Sequence, residues 1–324
     1  MSLPVAHPIV HESHSELEPG PLTQQWCFEA TGTCWRILTA ASLPPALRAR
    51  ITSLIDAFEE VWSRFRPGSL VRRAADGGLG TEDLMLDLPP GSAVLLDLYD
   101  RLHRATGGRI DPLVGADLVE LGYDPDYSFA VRNGAVSRVG AVHGRATWAE
   151  TARHDGDRLR LARPALIDIG AAGKGFLVDL IARELRGAGI DVFVIDGSGD
   201  LLISSPEPVR IGLEDPRAPG RVIGTVALTG AAVCASSTRR RSWGDGLHHV
   251  LDAYTGLPVQ DVLATWTVST ACAEADGLAT ALFVTAPEVL ARAGFHYDFA
   301  LMRADGSAVV SRDFADIPGE LFTA

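Results

Sequence analysis

DIGAAGKGFLVDLIARELRG, residues 168–187, is the stretch on which the fold turns. From Gly175 to Gly187, Leu177, Val178, Ile181 and Leu185 recur at helical spacing, with Asp179, Arg183 and Arg186 on the other side. This pattern predicts an amphipathic helix opened by glycines. VFVID, residues 192–196, follows as a buried strand. Several strands then run to about Val250.

Upstream, Gln25 to Thr39 alternates as a strand pair would, with Thr31-Gly32-Thr33 as its bend. In PPALRARITSLIDAFEEVWSRF, Leu47, Ile51, Leu54, Ile55, Phe58 and Trp62 keep helical spacing, and the two prolines mark the start. A second helix, from about Ala93 to Ala105, runs into Thr106-Gly107-Gly108. The middle, from about Ser128 to Arg163, reads as short strands and turns. The last clear helix is AEADGLATALFV, residues 273–284, and two or three strands close the chain. Strands and helices are mixed without strict βαβ alternation, which favours α+β. Residues 1–21 read as a flexible leader and 22–324 as a single unit.

A chain of 324 residues with 47% apolar content can bury a large core. Its formal charge of −12 argues against a nucleic-acid partner, because phosphate backbones are held by clustered Lys and Arg. The short run Arg239-Arg240-Arg241 is read either as a phosphate contact or as a solvated loop. Cys27, Cys34, Cys234 and Cys272 lack CxxC spacing and read as reduced thiols, not a zinc site. No apolar run approaches the roughly 20 residues of a membrane span, and the N-terminus has no export signature. The expectation is a cytoplasmic protein without a membrane partner, in which His11 and His14 bind no metal.

Among 29 Lys and Arg residues, one is lysine: Lys174. An ammonium is a compact point charge suited to a single phosphate oxygen, a task arginine does less well. The glycines around Lys174 invite a P-loop reading, which fails, because the required glycine and Ser/Thr positions hold Asp168 and Gly175. The Gly197-Ser198-Gly199 turn fails as a dinucleotide fingerprint, since Leu202 stands at the third glycine.

Asp276 and Thr280 are i and i+4 on the last helix, so both oxygens leave one face and suit a hard cation. Taken alone, the pair is better read as capping or hydrogen-bonding nearby backbone. In HHVLDAYTGLPV, residues 248–259, His249 is a candidate proton acceptor; a histidine satisfied by a neighbouring strand is the other reading.

Seven segments together resemble one family. DIGAAGKGFLVD is similar to the DLGGIAKGYAVD signature of the ApbE family, the FAD:protein FMN transferases, and VIDGSGDLL follows where that family has nalVNLGGDI. HHVLDAYTGLPV resembles HIIDPRTGYP, and CAEADGLATALFV resembles MEADALATALFV. ATGTCW, SRFRPGSLV and TGGRIDPLVG resemble AMGTPW, SxYxxxSEL and TGGAFDPTVG, in the same order along the chain.

The resemblance implies an ApbE-like α+β fold, mixed and mainly antiparallel sheets packed with helices. It implies an enzyme that takes FAD as substrate with a divalent cation, usually Mg²⁺. Such an enzyme moves FMN onto a Ser or Thr hydroxyl of a target flavoprotein, within a short acceptor motif, and releases AMP. Position by position, His249 and Lys174 match catalytic residues. Thr31, Phe65, Gly108, Ile110, Asp111, Asp168, Lys174 and Val250 match flavin contacts. Ala171, through its carbonyl, and Asp276 and Thr280 match metal ligands.

The pattern is departed from at Thr31, Phe65, Gly173, Ser198, Ala253 and Ser237. Two further readings stay open: an FAD pyrophosphatase giving FMN and AMP, which would use the same ligands, and a flavin-binding protein without turnover, which the changes at Thr31, Phe65 and Ser237 motivate.

Overall fold

The computed structural model describes residues 22–80, 82–218 and 220–321; the expected leader, with His11 and His14, lies outside them. β1 (Gln24–Ala30) and β2 (Thr33–Thr39) form a hairpin. Its two-residue turn, Thr31-Gly32, has φ of 51° and 72°, the left-handed pair that matches strand twist. Thr33 already pairs with Ala30, so the bend is one residue tighter than the sequence suggested.

α1 (Pro45–Trp62) and α2 (Ala93–Ala105) follow, both within the expected stretches. α3 (Gly173–Gly187) precedes β3 (Phe193–Asp196) and β4 (Asp200–Ser204). β5 (Ala232–Ser237), β6 (Val262–Ser269), α4 (Cys272–Ala281), β7 (Asp298–Arg303) and β8 (Ala308–Val310) complete the main layer. The eight strands lie in the order β1 to β8, every neighbouring pair antiparallel, although residues 40–192 intervene between β2 and β3. The α+β expectation is met.

Alternation along the strands sends side chains to two different cores. Trp35, Ile37, Phe193, Ile195, Leu202, Ala232 and Cys234 pack beneath the helices. Val194, Leu201, Ile203, Val233, Ala264, Trp266 and Met302 face the other way. There they meet a second sheet of Val209–Glu214, Val222–Leu228 and Gly319–Leu321.

The structure adds short helices after the one expected to be last, at Pro287–Arg292 and Arg312–Asp316. Six or fewer residues give too little periodicity to read. It also corrects the placing of Asp179 on the outer side of α3. The Asp179 carboxylate accepts from Cys272 N (3.0 Å) and Ala273 N (2.9 Å), closing the first turn of α4.

Candidate active site

α3 and α4 meet at their N-terminal ends. Gly175 sits where they are closest: a Cβ there would lie 2.3 Å from Cys272 O and 2.8 Å from Asp276 Cβ. That approach explains why a glycine, and not a phosphate-loop Ser or Thr, follows Lys174. Gly175 N donates to Asp276 Oδ2 (3.0 Å). Asp276 therefore closes the first turn of α3 just as Asp179 closes that of α4.

Lys174 forms an ion pair with Asp200 Oδ2 from β4. Burial pulls the Lys174 pKa down, but the charges of Asp200 and Asp276 outweigh it, so the net shift is upward and the ammonium stays charged. Asp276, 2% exposed, is pushed up to about 8, first by burial and then by Asp200; Lys174 and the Gly175 amide pull the other way. Two carboxylates thus share one ammonium in a buried place. The other buried oxygen of the Asp200 carboxylate, Oδ1, makes no hydrogen bond among the described residues. Burial, with the charges of Asp168 and Asp276, holds the Tyr99 phenol well above its usual range.

One turn along α4, Thr280 Oγ1 donates to Ala171 O (3.3 Å), so the expected hydroxyl and carbonyl are side by side. A carboxylate, a hydroxyl and a carbonyl form an all-oxygen donor set that suits a hard divalent cation. An acid pushed up by burial has the most to gain from one. Among the described residues no three His, Cys, Asp or Glu side chains gather as a metal cage; this donor set includes a single carboxylate.

The two histidines separate clearly. His248 is buried, its Nε2–H donating to Val259 O (2.8 Å) while Nδ1 accepts from Val250 N (3.3 Å). Both nitrogens are used, so His248 is structural. His249 donates Nδ1–H to Arg241 O (3.4 Å), which leaves Nε2 as an acceptor without a partner among the described residues. Burial, followed by the Arg241 charge, lowers its pKa to about 3, so the ring is neutral near pH 7.

The remaining candidates frame this centre. Asp168 pairs with Arg64 (2.5 Å), accepts from Gly170 N (2.6 Å) and donates its own N–H to Pro112 O (2.7 Å). The loop carrying Gly108, Ile110 and Asp111 thus abuts the lysine turn. It also reaches the histidine segment, because Ala253 N donates to Arg109 O (3.0 Å). Asp111 is buried, with oxygens taken by Leu113 N (2.8 Å) and Trp148 N (3.0 Å). Its carboxylate shapes the loop. Val250 is buried beside His249. Thr31 is tied to α1 through Glu59 (2.7 Å), and its hydroxyl is buried without a hydrogen bond. Phe65 carries the Arg64 guanidinium 4.1 Å from its ring centre.

Sequence reasoning did not single out Asp200, Asp179, Arg64 or Tyr99 as site residues. For Asp200 a signal existed, since a carboxylate opening the apolar run DLLIS needs a partner once buried. Nothing local marks the other three.

A mixed α+β frame thus carries an all-oxygen donor set beside a half-buried ammonium, and comparison with known proteins gives its family. The ApbE family profile matches residues 31–296, and the chain belongs to the ApbE family. A Treponema pallidum FAD:protein FMN transferase is 31% identical over 265 residues, 70% of this chain and 71% of that protein. A Rhodobacter capsulatus protein of the same name is 30% identical over 236 residues. The chain spans only 44% of the R. capsulatus protein and 59% of a Vibrio cholerae relative. The ApbE protein of Thermotoga maritima superposes with a TM-score of 0.77 at 22% identity, covering 91% of this chain and 98% of that one. The flavin transferase ApbE of Vibrio cholerae gives 0.74 at 20% identity, covering 91% and 99%. These likenesses establish an ApbE fold. Among the described residues no helix is long and apolar enough to cross a membrane.

Proposed function

We propose that this chain is an FAD:protein FMN transferase, moving FMN from FAD to a Ser or Thr hydroxyl of a cytoplasmic flavoprotein and releasing AMP. The observation that carries the reading is the meeting of Lys174, Asp276, Thr280 and Ala171 O where α3 touches α4. Family membership and the names of the relatives support it.

In this reading Asp276, Thr280 and Ala171 O hold Mg²⁺, which supplies charge neutralisation at the diphosphate when bound. Lys174, fixed by Asp200, sets one ammonium against a phosphate oxygen, where negative charge spreads as the bond breaks. His249, neutral and with Nε2 unpartnered among the described residues, takes the proton of the acceptor hydroxyl. The hydroxyl oxygen joins the FMN-side phosphorus, the phosphorus–oxygen bond to the bridging oxygen breaks, and AMP leaves with that oxygen. Phe65, Thr31, Val250, Asp168 and the 108–111 loop line the flavin.

The test is incubation with FAD and Mg²⁺, with and without an acceptor peptide carrying a Ser/Thr motif. The expected result is AMP and an FMN-sized mass gain on the peptide, both only when peptide is present. AMP without peptide would make the protein a pyrophosphatase; intact bound FAD in both arms would make it a binding protein. Asp276→Ala should remove metal-dependent turnover, by about a thousandfold, while circular dichroism stays native. His249→Ala should slow transfer by about a hundredfold or more and leave FAD affinity close to wild type.

A further inference from the structure

Around Phe65, which lines the flavin in the reading above, stand aromatic residues to which that reading gives no part. Phe65 and Tyr127 stack face to face, centroids 5.1 Å apart and planes 1° from parallel. Tyr123 meets both edge-on, at 5.5 Å and 5.8 Å. Trp243 backs Tyr123 at 5.5 Å and Phe129 at 5.8 Å. A purely structural aromatic cluster hides its rings from water. This one does not: Tyr127 is 43% exposed.

The exposed ring is held in place. Tyr127 and Phe129 both have φ of 51°, a left-handed conformation that costs a bulky residue about 1 kcal/mol or more. The loop is closed by Phe129 N donating to Gly122 O (2.8 Å). A Cβ at Gly122 would lie 2.6 Å from Ala130 N, so the loop can return only over a glycine. Asp124 accepts from Asp126 N (3.1 Å), Ser128 N (3.0 Å) and Ser128 Oγ (2.5 Å). Strain kept in place by this many contacts presents Tyr127 in one orientation.

The platform is joined to the lysine turn through one cation. The Arg64 guanidinium lies 4.1 Å from the centre of Phe65 and 4.5 Å from that of Tyr123, and it pairs with Asp168 at 2.5 Å. A rigid, solvent-facing ring pair beside a phosphate-ester site has the chemistry of a base-stacking surface. We infer that Tyr127, presented on Phe65, stacks a planar heteroaromatic ring of the nucleotide donor. The inference rests on the FAD reading above. Flavin and adenine rings share the required chemistry, and the test separates them.

Wild type, Tyr127→Phe, Tyr127→Leu and Tyr127→Ala are titrated calorimetrically with FAD, riboflavin and AMP in the presence of Mg²⁺. FAD should bind about tenfold more weakly to the Ala and Leu variants, and within about twofold of wild type to Phe. A parallel loss with riboflavin assigns the isoalloxazine; a parallel loss with AMP assigns adenine. Leu keeps bulk in the cluster, so it stays informative if Ala unfolds. Unchanged or tighter binding of all three ligands by Leu and Ala overturns the inference, tighter binding because the ring would then be blocking its neighbour. A wild type that loses ring binding on mutation yet never transfers FMN would overturn the transfer reading alone.

Discussion

The two faces of the eight-stranded sheet differ in kind. Beneath the helices, the strands present Asp200, Thr265, Thr267 and Cys234 among their apolar residues. Each polar group there has a named use: Thr267 Oγ1 donates to Ala275 O (2.6 Å), Thr265 Oγ1 to Ala279 O (2.7 Å), and Asp200 holds Lys174. The opposite face, from Val194 to Met302, is packed with aliphatic residues and Trp266 against the second sheet. One face anchors chemistry and the other anchors stability. Both hang on the same backbone, in which neighbouring residues serve opposite duties.

That division can be broken. Trp266→Ala should cost about 3–5 kcal/mol of stability, measured by urea denaturation. The folded fraction should keep wild-type KM and turnover; a site that fails with the fold intact would show the faces are coupled. Lys174→Arg should lower FMN transfer by about a hundredfold with little change in stability, because a planar fork does not replace an ammonium at Asp200. Near-wild-type rates would mean a charge is needed there but not its shape. Thr267→Val removes one buried hydrogen bond to α4 and should cost about 1 kcal/mol, read as a modest fall in Tm with a small rise in the Mg²⁺ requirement. Last comes a null effect. With the His249 pKa lowered to about 3 by burial and Arg241, the proton-accepting form is filled from pH 5 to 8. The pH–rate profile should therefore show no acid limb near 6.5, and such a limb, absent in His249→Ala, would contradict the placement.

Much of this was legible in the sequence, for physical reasons. α1, α2 and α3 announced themselves because one apolar stripe on each is buried in the core they share. Lys174 stood out by composition, and Asp276 with Thr280 by helical spacing. The partners did not. Asp200 meets Lys174 across 26 positions, Asp276 meets Gly175 across 101, and Arg64 reaches Asp168 from α1's far end. Such pairings depend on where the sheet carries each element, which local periodicity does not encode. Asp179 was misplaced for the same reason: a carboxylate on a helix's polar side reads as solvated until another helix's amides arrive.

Asp179 and Asp276 make a crossed clasp, each helix lending the other the carboxylate that its first turn lacks. Sliding one helix past the other by a turn, about 5.4 Å, would strand both acids and expose two sets of amides at once. The clasp therefore works like a keyed joint that fixes Lys174 and Asp276 in register. On the proposed function, Asp179, which never meets the nucleotide, becomes as consequential for its alignment as a residue that does.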